Sequence, residues 1–145
     1  PGAVILRSLG LDIGDKRIGV ALSDPTAVLA SPLTIINRRE DLATIEAITS
    51  IIIKNSVGRV IVGLPRSMDG SLGKQAEKVQ AFIQKLRSHT RMPVVFRDER
   101  LTTVLARRLM QASYTKRARK ESQDDAIAAA LILQAYLDEG NNEFL

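Results

Sequence analysis

The spacing of the apolar residues changes at Asp41, and this change limits the folds open to the chain. Before it, three segments rich in strand-forming residues follow one another, over 4–13, 17–22 and 33–36. After it, stretches with helical spacing alternate with short apolar runs, which predicts helices that alternate with buried strands. The resulting order β-β-β-α-β-α-β-α-α predicts a mixed sheet with helices on its faces.

The elements after Asp41 follow from the same criteria. A helix is predicted from Asp41 to about Asn55, because five apolar residues recur on one face (Leu42, Ile45, Ile48, Ile52 and Ile53). The later predictions are a strand at 60–62, a turn-rich loop at 65–73, a helix at 76–86, a strand at 94–96, a helix at 102–110, a basic loop at 114–120 and an alanine-rich helix at 124–137.

Length and composition exclude several classes of protein. The 145 residues predict a single domain, over 1–145, which is long enough to bury a core. The absence of cysteine excludes disulfides and cysteine-ligated metals. No apolar run approaches the ~20 residues of a membrane span, and the first eleven residues are too short and polar for a secretory signal. A cytoplasmic location is therefore expected, with no membrane partner.

The net charge of the chain points to a polyanionic partner. The formal charge is +5, and basic surfaces attract nucleic acids by displacing their counterions. Many basic proteins bind no nucleic acid, so this feature is permissive rather than specific. Aromatic residues make up only 3%, which argues against a platform that stacks bases.

Three carboxylates stand at the ends of predicted elements. Asp12 ends an apolar strand, Glu99 follows the strand at 94–96, and Asp125 opens the last helix. Each has an ordinary alternative explanation. Asp12 suits a turn before Gly14, Glu99 suits a surface ion pair with a neighbouring arginine, and Asp125 completes a capping box that begins at Ser122.

Taken together, the same carboxylates suit the chemistry of phosphodiester hydrolysis. Hard cations such as Mg²⁺ prefer oxygen ligands, and a substrate phosphate can complete their coordination. In two-metal nucleases, one ion activates the attacking water and the other stabilises the leaving oxygen. Spacing along the chain does not show whether the three carboxylates converge.

Four segments, in order, resemble the YqgF family, whose members are named pre-16S rRNA nucleases or Holliday-junction resolvases. They are LDIGDKRIGVA at 11–21, IVGLPRSMDGS at 61–71, DERLTTV-x-A at 98–106 and DA-x-AA-x-x-IL at 125–133. Each motif is weak or moderate alone, but the set is specific and covers nearly the whole chain.

The resemblance implies an α/β protein with the RNase H-like fold: a five-stranded mixed sheet of order 3-2-1-4-5, flanked by helices. It also implies that Asp12, Glu99 and Asp125 form an acidic triad that holds Mg²⁺ or Mn²⁺. Asp125 is preferred to Asp124, because the following alanines align from it. Family members often carry a Glu where this chain has Leu105, so no role is transferred to that position.

Basic residues near these carboxylates are candidates for substrate binding. Lys16, Arg17 and Arg100 suit contacts to phosphates, although they equally suit neutralisation of the carboxylates. A second group, in the basic loop, suits grip on a nucleic-acid backbone or simple solvation; it consists of Lys116, Arg117, Arg119 and Lys120. The single histidine, His89, is predicted to serve a helix C-terminus rather than proton transfer.

The family resemblance favours a metal-dependent endonuclease that matures the 5′ end of pre-16S rRNA during ribosome biogenesis, in contact with the assembling small ribosomal subunit. The alternatives are a Holliday-junction resolvase acting on branched DNA and a non-catalytic RNA-binding module. An actin-like ATPase would need a second domain for which 145 residues leave no room. No dimer face is evident, so a monomer or weak dimer is expected.

Overall fold

A computed structural model describes residues 6–65, 69, 72–98 and 121–142 of the chain. The strands in this part are β1 (Arg7–Ile13), β2 (Arg17–Ser23), β3 (Ala30–Asn37), β4 (Val57–Leu64) and β5 (Val94–Asp98). The helices are α1 (Asp41–Lys54), α2 (Lys74–His89) and α3 (Glu121–Asn142). The helix predicted at 102–110 and the basic loop at 114–120 lie outside the described residues.

The five strands form one mixed sheet in the order β3-β2-β1-β4-β5, which confirms the order that the family resemblance implies. Strands joined by short connections, β1 to β2 and β2 to β3, pair antiparallel. The parallel pairs have a helix in the chain between their strands, because a parallel pair needs a long crossover. Strand β4 follows α1 and pairs with β1, and β5 follows α2 and pairs with β4.

The two faces of the sheet bury different side chains, because successive residues of a strand point in opposite directions. Leu9, Leu11 and Ile13 of β1 lie in the larger core, beneath α1 and α2. The alternate residue Gly10 faces α3, where an added Cβ would lie 2.9 Å from both the Ala129 carbonyl oxygen and Leu133 Cβ. Helix α3 therefore approaches β1 closely at a position without a side chain.

A second core lies between α3 and the sheet. It consists largely of small residues and branched aliphatic residues: Ala21, Ala30, Ile61, Ala129, Ala130, Ile132, Leu133 and Leu137. The alanine-rich sequence of α3, predicted as a helix, thus has a packing role, since small side chains let the helix backbone lie near the strands.

Helix α3 begins earlier than the sequence suggested. Its described part begins at Glu121, so Ser122 lies inside the helix and the interpretation of Ser122 as its N-cap is wrong. Asp125 therefore lies past the first turn, where its position is set by packing on the sheet.

The C-terminus of α2 agrees with the prediction for His89, the last residue of that helix. Its Nδ1 lies 3.0 Å from the Lys85 carbonyl oxygen, one of the last carbonyls of the helix. In the described part of the chain, no helix has the length and apolar character that crossing a bilayer demands.

Candidate nuclease site

The first predicted site residue, Asp12, is the penultimate residue of β1 and is half-buried. It lies two residues beyond Gly10, so it shares the face of the sheet that α3 covers. Its partner on the antiparallel neighbour β2 is Gly19. Asp12 therefore stands at the end of a central strand, next to a position where β2 has no side chain.

The third predicted residue, Asp125, reaches the same place from α3. An added Cβ at Gly19 would lie 1.8 Å from the Asp125 carbonyl oxygen and 2.3 Å from its carbonyl carbon. The backbone of α3 thus rests on Gly19, which is itself paired with Asp12. The structure therefore brings together Asp12 and Asp125, which are far apart along the chain.

Arg17, the first residue of β2, forms an ion pair with Asp125 of α3. Its Nε donates a hydrogen bond of 2.9 Å to Asp125 Oδ2, with the side chains 44% and 32% exposed, respectively. Arg17 was predicted either to bind a phosphate or to neutralise a carboxylate, and its contact with Asp125 supports neutralisation. Its contact with a phosphate stays a prediction. Lys16 precedes it in the exposed turn between β1 and β2.

The remaining predicted residues lie outside the described part of the chain. Glu99 follows Asp98, the last residue of β5, directly in sequence. Because β1, β4 and β5 are parallel, Ile13, Leu64 and Asp98 end at one edge of the sheet, the edge at which α/β proteins place their sites. The others outside are Arg100, Lys116, Arg117, Arg119 and Lys120.

The carboxylate oxygens near Gly19 are of the kind that a hard divalent cation prefers as ligands. Asp12 and Asp125 offer carboxylate oxygens, and the chain has no cysteine that would favour a softer metal. Among the described residues, no three acidic or histidine side chains converge in a way that could hold a metal ion. Glu99, the other predicted carboxylate, is not among the residues described.

Sequence reasoning missed a group of residues that hold the turn between β1 and β2. The Arg38 Nη1 atom donates a 2.9 Å hydrogen bond to the Gly14 carbonyl oxygen, and Asp41 and Lys85 continue the contact into α1 and α2. The Lys85 hydrogen bond is the largest influence that lowers the pKa of Asp41. Nothing in the spacing of Arg38 marks it, since it follows a strand like many surface arginines.

The sheet order β3-β2-β1-β4-β5, with helices on both faces, is that of an α/β protein with the RNase H-like fold. A family model described as "RuvX: Holliday junction resolvase" matches residues 6–139. The chain belongs to this family, the RuvX/YqgF family, which confirms the resemblance to YqgF drawn from its four motifs. It is accordingly a nuclease, a hydrolase that acts on ester bonds of nucleic acid.

Relatives with high sequence identity cover almost the whole chain. A protein of Caldanaerobacter subterraneus subsp. tengcongensis is 48% identical over 138 residues, which are 94% of this chain and 99% of the relative. A protein of Dehalococcoides mccartyi is 48% identical over 129 residues, 89% of this chain and 96% of the relative. Both carry the name "Putative pre-16S rRNA nuclease".

Solved structures with low sequence identity share the fold. RuvC of T. thermophilus in complex with a Holliday junction substrate superposes with a TM-score of 0.61 at 13% identity, covering 93% of this chain and 96% of that one. The fowlpox virus resolvase with its substrate Holliday junction DNA gives a TM-score of 0.56 at 16% identity, covering 92% and 98%. These similarities establish the RNase H-like architecture.

Proposed function

We propose that this nuclease depends on Mg²⁺ or Mn²⁺ and matures the 5′ end of pre-16S rRNA, with Asp12, Glu99 and Asp125 as the metal-holding carboxylates. The observation that carries the proposal is the contact of the Asp125 backbone with Gly19, the residue paired with Asp12. This contact places two carboxylate residues from distant parts of the sequence at the end of the central strand.

The residues have separate tasks in this proposal. The metal ions, when bound, supply an activated water and stabilise the charge on the leaving oxygen. Asp12, on a buried strand, gives a rigid ligand, and Asp125 gives a ligand whose carboxylate is oriented by Arg17. Glu99, the residue that follows β5, is the third proposed ligand.

Phosphate contacts are assigned to the basic residues near this edge of the sheet. Lys16 lies in the exposed turn four residues after Asp12, so its ammonium suits a phosphate that flanks the cleaved bond. Arg17 and Arg100 suit bidentate contacts. The other assigned residues come from the basic loop: Lys116, Arg117, Arg119 and Lys120.

The names of the relatives that are 48% identical support RNA as the substrate. The proposal adds the assembling small ribosomal subunit as partner and the cytoplasm as location. The description of the family supports a second candidate, resolution of Holliday junctions. A resolvase cuts two symmetric strands and normally acts as a two-fold dimer. The RNA-processing proposal instead expects a monomer or a weak dimer.

A cleavage panel separates these functions. The purified protein is incubated with Mg²⁺ or Mn²⁺ and, in turn, labelled pre-16S 5′ leader RNA, unstructured RNA and a four-way DNA junction. Asp125→Asn removes one proposed ligand charge, and Asp138→Asn makes the same change at an exposed position further along α3. The leader RNA should be cut by the wild type and by Asp138→Asn but not by Asp125→Asn.

Each other result has a definite meaning. Paired symmetric cuts in the junction, with the RNA intact, would establish the resolvase function instead. RNA binding without any cleavage, in a folded protein that binds Mn²⁺, would favour the non-catalytic module. Equal cleavage by wild type and Asp125→Asn would reject Asp125 as a ligand.

A further inference from the structure

Arg38 lies between β3 and α1, at the same edge of the sheet as Asp12. Its side chain is only 19% exposed, which is low for an arginine. None of the four family motifs includes it. Its contacts connect the turn between β1 and β2 to α1 and α2, which cover the face of the sheet opposite α3.

Arg38 contacts the turn twice. Its backbone N–H donates a 2.8 Å hydrogen bond to the Lys16 carbonyl oxygen. Its Nη1 donates a 2.9 Å hydrogen bond to the Gly14 carbonyl oxygen. The turn is also closed on itself, because the Gly14 N–H donates to the Arg17 carbonyl oxygen at 2.9 Å. One residue therefore fixes both the beginning and the end of the turn.

The other side of the Arg38 guanidinium is held by the helices. Its Nη2 lies 3.3 Å from Asp41 Oδ1, and Asp41 Oδ2 accepts a 2.7 Å hydrogen bond from Lys85 Nζ. Its Cζ lies 4.7 Å from the centre of the buried Phe82 ring, within the range of a cation–π contact. Contacts with α1 and α2 thus orient the guanidinium toward the turn between β1 and β2.

We infer that Arg38 is a positioning residue of the nuclease, which holds the Gly14 turn so that Asp12 and the Arg17–Asp125 pair keep their relative placement. The inference rests on the proposed function. The turn contains only Gly14, Asp15 and Lys16, so a displacement of Gly14 passes directly to Asp12 on one side and Arg17 on the other. Replacing a residue that orients metal ligands without binding the metal itself typically changes metal affinity or activity about 10- to 100-fold.

A merely structural role would also make Arg38 important, and the choice of variants separates the two. Arg38→Met keeps much of the side-chain length, removes every side-chain donor and leaves the backbone hydrogen bond to Lys16 in place. Asp41→Asn weakens the link to α1 and α2 but leaves Arg38 able to bond to Gly14. Arg39→Met removes the same charge from the next residue, whose exposed side chain makes no hydrogen bond or ion pair with the described residues.

Four kinds of measurement are made on each variant of the full chain: melting temperature, Mn²⁺ affinity by calorimetry, kcat and KM on the cleaved substrate, and amide hydrogen exchange of Gly14 by NMR. For Arg38→Met we expect Mn²⁺ affinity and kcat to fall about 10-fold or more, and Gly14 exchange to accelerate about 10-fold. Asp41→Asn should lower the melting temperature while leaving kcat within about threefold, and Arg39→Met should resemble the wild type.

The outcome is clear even if the wild type cleaves nothing, because Mn²⁺ affinity and Gly14 exchange do not depend on cleavage. Wild-type values of both in Arg38→Met would overturn the inference, whatever the activity. Equal losses of Mn²⁺ affinity in Arg38→Met and Asp41→Asn, in proportion to their losses of stability, would also overturn it, since the effect would then be general loosening of the fold.

Discussion

Replacement of Gly19 by alanine adds one methyl group at the point where the two described carboxylate residues meet. In the structure that methyl carbon would lie 1.8 Å from the Asp125 carbonyl oxygen and 2.9 Å from the Ala126 nitrogen. Both are backbone atoms of a helix, so no side-chain rotation can relieve the contact. The start of α3 must move away from β2.

The size of this movement follows from the distance itself. Real Cβ contacts essentially never fall below 3.0 Å, so the gap of 1.8 Å must open by at least about 1.2 Å. Overpacking of this kind typically costs about 1–3 kcal/mol, which lowers the melting temperature by roughly 3–10 °C in a chain of this length. A misplacement of about 1 Å at reacting groups can reduce the rate about 100-fold.

The assay compares melting temperature, Mn²⁺ affinity and cleavage rate for Gly19→Ala and for Gly140→Ala. An added Cβ at Gly140, in α3, meets nothing within 4 Å, so alanine should leave activity unchanged and stabilise the helix slightly. Gly19→Ala should lose activity well beyond its loss of stability. Wild-type metal affinity and cleavage in a folded Gly19→Ala protein would refute the argument that this contact sets the position of Asp125.

Three other predictions test the core, the charges and the substrate contacts. Leu133→Ala, at a fully buried position of α3, should lower the free energy of unfolding by about 2–5 kcal/mol in urea titrations; a loss below 1 kcal/mol would contradict the packing described. The Lys85 hydrogen bond lowers the pKa of Asp41 in the folded state, so this stabilisation is present above about pH 4 and is lost as the pH falls further. The difference in unfolding free energy between wild type and Asp41→Asn should therefore be larger at pH 6 than at pH 3, and a difference independent of pH would reject the charge contribution. Lys16→Met should reduce the salt dependence of nucleic-acid binding by about one unit of log–log slope, whereas Lys54→Met, at the end of α1, should not.

Most of the fold was predictable from periodicity. The helix from Asp41 and the strand at 17–22 appear close to their predicted bounds, because each buries a face whose apolar spacing is visible in the sequence. The strand predicted at 60–62 is present but extends over Val57–Leu64. The sheet order came from the family resemblance, since pairing between distant strands leaves no local signal. Helix ends were less accurate: α2 extends from Lys74 to His89, beyond the predicted 76–86, because its end turns are charged and lack apolar periodicity.

The contacts around the candidate site could not be predicted from the sequence. Asp12 and Asp125 were chosen from motifs, yet the contact between Gly19 and the backbone of α3 depends on the packing of an entire helix. The pairing of Arg17 with Asp125 joins residues 108 positions apart, a distance over which spacing carries no information. Arg38 was missed for the same reason, because its partners become neighbours only when β3, α1 and α2 have packed.

The position of α3 in the chain also determines when the proposed site can assemble during synthesis. Ribosomes add residues from the N-terminus, so the strand with Asp12 emerges more than a hundred residues before Asp125. Until α3 docks, Ala21 and Ile61 lie uncovered on one face of the sheet and the Arg17 guanidinium lacks its carboxylate. With the proposed ligand set, a nascent chain has no complete metal site while it remains near ribosomal RNA. A chain truncated before α3 would expose an apolar surface that favours aggregation and degradation.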